Sequence, residues 1–257
     1  MNEKVFEEVK TDLVANEDYL RNHEPRFRTS AETVKAANES SGEQPRLLDI
    51  GCWPGYLSLY FKRQGWDVSA IDLKPDRIPV ISDAGIDLIA HNLNENPELP
   101  YPENHFDSIL FTEVFEHLNP ASFDRLFAGI EKCLKPGGRL ILTTPNRFAL
   151  NKNLFIPNRW SEPEVDEEGH GHWKEYRLNE VTECFSNTNL AIIRQETVSF
   201  YSYLGRSNET GYFPLSDWCN HPNKLRNLSK IVINPIRNIA IFRDSLIVVA
   251  EKNRKDE

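Results

Sequence analysis

The chain is 257 residues long, 39% hydrophobic and 27% charged, which excludes a disordered polypeptide and suffices for one α/β domain with appendages. Its formal net charge of -9 argues against the broad basic surface of a nucleic-acid-binding protein. Cys52, Cys133, Cys184 and Cys219 form no CxxC pair and are widely spaced, so neither a zinc site nor a disulfide framework is expected, and the thiols read as reduced in a cytoplasmic protein.

The amino-terminal stretch reads as helical, with Val5, Val9, Leu13 and Leu20 near helical spacing and acids between them. It lacks the basic-then-apolar order of a secretory signal. Pro25 is expected to break this pattern and start a second helix. The SSGEQP run at 40–45 is the first clear linker, so residues 1–44 are expected to form a helical lid on a domain spanning 45–257. Strands are predicted over 46–50, 68–71, 86–90, 106–112 and 139–144, and helices over 55–64, 75–83 and 122–134, the last stopped by Pro136-Gly137-Gly138. Such alternation predicts a parallel sheet with helices on both faces. Right-handed crossovers then collect the strand carboxyl ends along one edge, where ligands bind. After Pro145 the pattern loosens: a helix is predicted over 178–186 and strands over 191–200 and 245–251, while 147–176 and 201–243 read as insertions. The greasiest stretch, 231–250, is broken by Pro235, Arg237, Arg243 and Asp244, so no transmembrane segment is expected.

The run LLDIGCWPG at 47–55 is a strand entering a tight glycine turn and then a helix, a geometry that brings backbone N–H groups and a helix amino terminus up to a ligand. Asp49 at the strand end can accept from a ligand ammonium or organise the loop. Asp72 ends the next strand, about 20 residues past the first glycine, where a carboxylate can take two ribose hydroxyls. Glu113, Glu116 and His117 stand at i, i+3 and i+4, so one helical turn would place them on a shared face at the active edge. A nicotinamide-dependent oxidoreductase would need a GxGxxG loop, which the chain lacks.

In sequence order the pieces LLDIGCWPG, AIDL, HNLNE, ELPYPENHFDSILFTEVFEHL and LKPGGRLILTTPN resemble the class I S-adenosylmethionine-dependent methyltransferases, from about Arg46 to Asn146. The resemblance implies a Rossmann-like, seven-stranded, mostly parallel sheet with an antiparallel last strand, helices on both faces and an amino-terminal helical lid. It implies S-adenosylmethionine as cofactor. Asp49, Gly51, Trp53 and Gly55 would cradle its methionine part, and Asp72 its ribose. Leu73, Asn92 and Leu93 would meet adenine, and Thr112 and Glu113 would lie beside the methionine and sulfonium. Trp53 stands where the family commonly has glycine, and Asn92 where it often has Asp; the tryptophan fits if its φ stays negative and its indole turns away.

The implied reaction is methyl transfer to a hydroxyl of a small molecule or glycan, with the insertions at 147–176 and 201–243 expected to bind that acceptor. His117 is the preferred base, with Glu113 and His172 as further catalytic candidates; His172 belongs to a His-x-x-x-Tyr segment ending at Tyr176. No metal is assigned, although Glu113, Glu116, His117 and His170 or His172 would suit a divalent ion in a metal-assisted RNA or quinone-type O-methyltransferase. A non-catalytic interaction module of the same fold is the other alternative, with Trp53 as its support. Nucleic acid is not the expected partner, and a homodimer is left open. In the lid, Arg26 and Arg28 are expected to face solvent or an anionic acceptor.

Overall fold

Strand segments with consecutive apolar residues, such as Leu47-Leu48 and Ile109-Leu110-Phe111, must bury both faces, and the sheet is built accordingly. The computed structural model describes residues 2–13, 17–37, 44–147, 171–198 and 245–254. Within them lie strands β1 (Arg46–Ile50), β2 (Asp67–Asp72), β3 (Asp87–Ala90), β4 (Phe106–Thr112), β5 (Leu134–Pro145), β6 (Leu190–Val198) and β7 (Ser245–Lys252). The helices are α1 (Glu3–Asp12), α2 (Glu17–Ala37), α3 (Tyr56–Arg63), α4 (Pro79–Asp83), α5 (Phe123–Cys133) and α6 (Leu178–Glu183). The strands form one 7-stranded sheet in the order β3-β2-β1-β4-β5-β7-β6. The first five pair in parallel, and β7 runs antiparallel between β5 and β6. This is the predicted architecture.

One sheet face buries Phe111, Phe115, Phe127, Leu142, Val181 and Val248 beneath α5 and α6. The other buries Phe6, Phe27, Val34, Tyr60, Leu110 and Ile141 beneath α1, α2 and α3. The amino-terminal helices therefore share a core with the sheet.

Four local expectations are corrected. Pro25 does not break the helix: α2 runs through it. A proline there forfeits one i to i−4 bond and crowds a carbonyl, but contacts on both sides hold the helix down, Tyr19 on Trp53 before it and Phe27 on Tyr56 after it. The helix predicted over 75–83 is two pieces, a 3-10 turn Pro75–Arg77 and α4, because Pro79 pushes Ile78 out of helical conformation to φ -129, ψ 52. Pro136-Gly137-Gly138 does not separate helix from strand. It forms a bulge inside β5, whose register against β4 shifts between Phe106 and Ser108. The helix predicted to reach 186 ends at Glu183.

Candidate active site

The chain leaves β1 toward β2 and β3, then returns to lay β4 on the other side of β1. The loops after β1 and β4 therefore face each other at the strand carboxyl ends, where such sheets bind ligands. They touch. Gly51 turns at φ 66, its N–H donates to the Ile71 carbonyl at 2.8 Å, and a Cβ there would lie 2.3 Å from Val114 Cγ2. Only glycine allows both the left-handed turn and the approach. Gly55, at φ 96, then opens α3 beside the crevice. Trp53 takes no positive φ, and its indole packs edge-on against Tyr19 of α2 with centroids 4.5 Å apart. The φ condition for tryptophan at this position is therefore met.

Asp49 is 2% exposed and accepts the Ser58 hydroxyl proton at 2.6 Å, tying β1 to α3. Burial, reinforced by the Asp72 charge, outweighs that hydrogen bond and the Arg26 cation, and pushes the Asp49 carboxyl up to about 6. Asp72 accepts from the backbone N–H of Trp53 at 3.1 Å and of Lys74 at 3.0 Å, one on each oxygen. A carboxylate offers about four acceptor positions, so this one keeps roughly two for a ligand. Leu73 beside it is 50% exposed. Asn92 is committed locally: its oxygen accepts from Asn94 N–H at 3.0 Å and its nitrogen donates to Glu95 at 2.9 Å. The Leu93 side chain is buried in the core, which leaves its backbone to the edge.

Thr112 is buried at the end of β4. The expected helical face across Glu113, Glu116 and His117 does not form. Glu113 sits in left-handed conformation at φ 56, ahead of a 3-10 turn that covers only Phe115–His117. Glu113 consequently does not join the other two, which stay close to each other. Glu113 Oε2 lies 3.8 Å from Arg26 Nη1, and its buried Oε1 has no hydrogen-bond partner among the described residues. Glu116 turns inward, 1% exposed, and accepts the Thr144 hydroxyl proton at 2.9 Å. Burial, then the neighbouring Glu113 charge, hold the Glu116 carboxyl well above the ordinary range.

His117 remains at the edge. Its Nδ1 lies 2.7 Å from the Gly171 carbonyl. A carbonyl only accepts, so Nδ1 carries the proton and Nε2 is the acceptor of the neutral ring. Nε2 is 3.9 Å from Glu116 Oε1. The Trp173 N–H donates to the Glu116 carbonyl at 2.8 Å, which docks the 171–176 segment against this turn. His172 then stands edge-on to His117, centroids 4.7 Å apart. Donor atoms of Glu116, His117 and His172 all lie within 4.8 Å of one another, without Glu113.

Arg26 corrects the expectation of a solvent-facing lid arginine: it is 2% exposed, donates to the Tyr19 hydroxyl at 3.0 Å and reaches toward Glu113. Arg28 instead pairs with Glu3 and Glu24. Ser58 lies outside the quoted motifs, and Asn94 and Thr144 lie inside HNLNE and LKPGGRLILTTPN without having been given a role. His170 and most of both expected insertions lie outside the described residues.

A family model described as a methyltransferase domain matches residues 19–195. The ubiquinone biosynthesis O-methyltransferase of Xanthomonas axonopodis pv. citri is 30% identical over 157 residues, 56% of this chain and 61% of that one. Its mitochondrial counterpart in Schizosaccharomyces pombe is 36% identical over 133 residues, 49% of this chain and 46% of that one. The chain thus spans about half the length of the curated relatives it matches. In fold it resembles the 1,6-didemethyltoxoflavin-N1-methyltransferase of Burkholderia thailandensis, solved with 1,6-didemethyltoxoflavin and S-adenosylhomocysteine, at a TM-score of 0.56 and 18% identity over 95% of this chain and 89% of that one. With the family model covering well over half its length, including every strand from β1 to β5, the chain belongs to the methyltransferase-domain family.

Proposed function

We propose that this protein transfers the methyl group of S-adenosylmethionine to a hydroxyl of a small molecule or glycan. The observation that carries the reading is Asp72, which has acceptor capacity to spare at the carboxyl end of β2, between the Gly51 turn and the exposed Leu73. Such a carboxylate suits a ribose diol, and an exposed leucine suits the apolar face of a purine. The partly buried Arg26–Glu113 pair offers a cation and an anion side by side, matched to the carboxylate and ammonium of an amino-acid moiety. When bound, S-adenosylmethionine supplies a methyl on a sulfonium that an in-line nucleophile displaces.

The chain's own residues must align the acceptor and take its proton. His117 takes the proton at Nε2 because the Gly171 carbonyl holds Nδ1–H. His172, edge-on to it, lines the acceptor side. Helices α1 and α2 serve as the lid: Tyr19 on Trp53 and Arg26 toward Glu113 cover one end of the crevice and exclude water. The ubiquinone-pathway relatives support a quinol-type hydroxyl. Free thiols at Cys52, Cys133 and Cys184 support a reducing, cytoplasmic setting. Among the described residues no helix is long and apolar enough to cross a membrane.

The convergence of Glu116, His117 and His172 supports a second reading, in which a divalent ion held there activates the hydroxyl. One assay separates the two: methyl transfer from labelled S-adenosylmethionine to 3,4-dihydroxybenzoate and a panel of phenols and sugars. We expect His117→Ala to lower turnover by about 10²–10⁴-fold with unchanged cofactor affinity. Full turnover by that variant removes His117 as the base. Activity abolished by chelation and restored by magnesium selects the metal reading.

A further inference from the structure

The loop after β3 and the turn after β4 are joined by one side chain. The Asn94 amide donates from Nδ2 to the His117 carbonyl at 3.3 Å, and its Oδ1 accepts from the Asn119 N–H at 2.8 Å. The residue between these partners, Leu118, is extended at φ -100, ψ 146, and its side chain is buried with Leu93 in one cluster. A parallel strand neighbour bonds the carbonyl of one residue and the N–H of the next but one. Asn94 reproduces that pairing with a side chain. Its own backbone is fixed in turn, since its N–H donates to Asn92 Oδ1 at 3.0 Å. At the other end, Asn119 caps the turn Pro120–Ser122 through Ala121 N–H at 3.0 Å, which leads into α5.

We propose that Asn94 is a positioning residue that splints the purine-side loop, Asn92 to Asn94, to the turn carrying His117, so that cofactor occupancy stiffens the turn that must face the acceptor. The inference rests on the cofactor reading above. Its value to the reaction is alignment: a displacement of about 1 Å at a reacting centre can cost roughly 10²-fold in rate. Asn94 is exposed and outside the core, so its loss removes the link without removing the fold.

Deuterium exchange in peptides covering 115–122, with and without saturating S-adenosylhomocysteine, tests this in wild type, Asn94→Ala and Asn94→Asp. In wild type we expect the ligand to slow exchange there by about tenfold. Asn94→Ala is expected to bind the ligand within about threefold of wild-type affinity and melt within a few degrees of it, yet to show no slowing. Asn94→Asp keeps an oxygen for the Asn119 N–H but cannot donate to the His117 carbonyl, and should lose more than half of the effect; it carries the test if the alanine variant folds poorly. Slowing of wild-type size in both variants, or none in wild type with ligand bound, overturns the splint. Failure of wild type to bind S-adenosylhomocysteine at all would instead overturn the cofactor reading.

Discussion

At Asp49 a carboxyl is buried to 2% exposure with another acid in its field, and only Ser58 and the more distant Arg26 cation favour its charge. Its folded pKa, about 6, lies above the ordinary 3.8. A raised carboxyl contributes stability that is full below the unfolded value and lost as pH rises through the folded one. The loss between about pH 4 and pH 7 corresponds to about 3 kcal/mol. Asp49→Asn keeps an oxygen for Ser58 and cannot ionise, so urea titrations should show it gaining about 3 kcal/mol on wild type across that window. A difference independent of pH contradicts the assignment. Asp49, Gly51, Gly55 and Asp72 were legible in the sequence because a backbone turn and a strand end dictate those residue types. Arg26 and Asn94 were not: their roles depend on contacts to residues far away in the chain, which no local spacing encodes.

Among the elements, α2 departs furthest from its local signals. Its sequence contains a helix-breaking residue, yet tertiary packing keeps it continuous. Phe27 is 3% exposed and stacks on Tyr56 at 4.7 Å, whereas the partly exposed Arg28 bridges Glu3 and Glu24. Packing, not charge, should therefore hold the helix. Phe27→Ala should lose about 3–5 kcal/mol in urea denaturation, and Arg28→Ala at most about 1 kcal/mol. The reverse order would mean that α2 is pinned by its ion pairs. Strands β1 and β4 were predicted to the residue because both are bounded by turn or polar signals and filled with apolar residues. The turn at Glu113 was misread as helix, since i, i+3, i+4 spacing says nothing about the left-handed φ that precedes it.

For the whole molecule, the alternation of strands and helices sufficed to foresee the parallel sheet, because handedness and connection rules leave few alternatives, whereas the antiparallel β7 was foreseen only through the family resemblance. The acceptor was not legible: the stretches expected to recognise it, 147–176 and 201–243, have no periodic pattern to read. What the fold does bring to the strand carboxyl ends is the Gly51 turn, Asp72 and the Arg26–Glu113 pair. Calorimetry of S-adenosylhomocysteine with wild type and with Asp72→Ala tests that arrangement most directly. Wild type should bind in the micromolar range and the variant more weakly by about 1–3 kcal/mol, the worth of charge-assisted hydrogen bonds to the ribose. Equal affinities in the two proteins, or no binding by wild type, would contradict it.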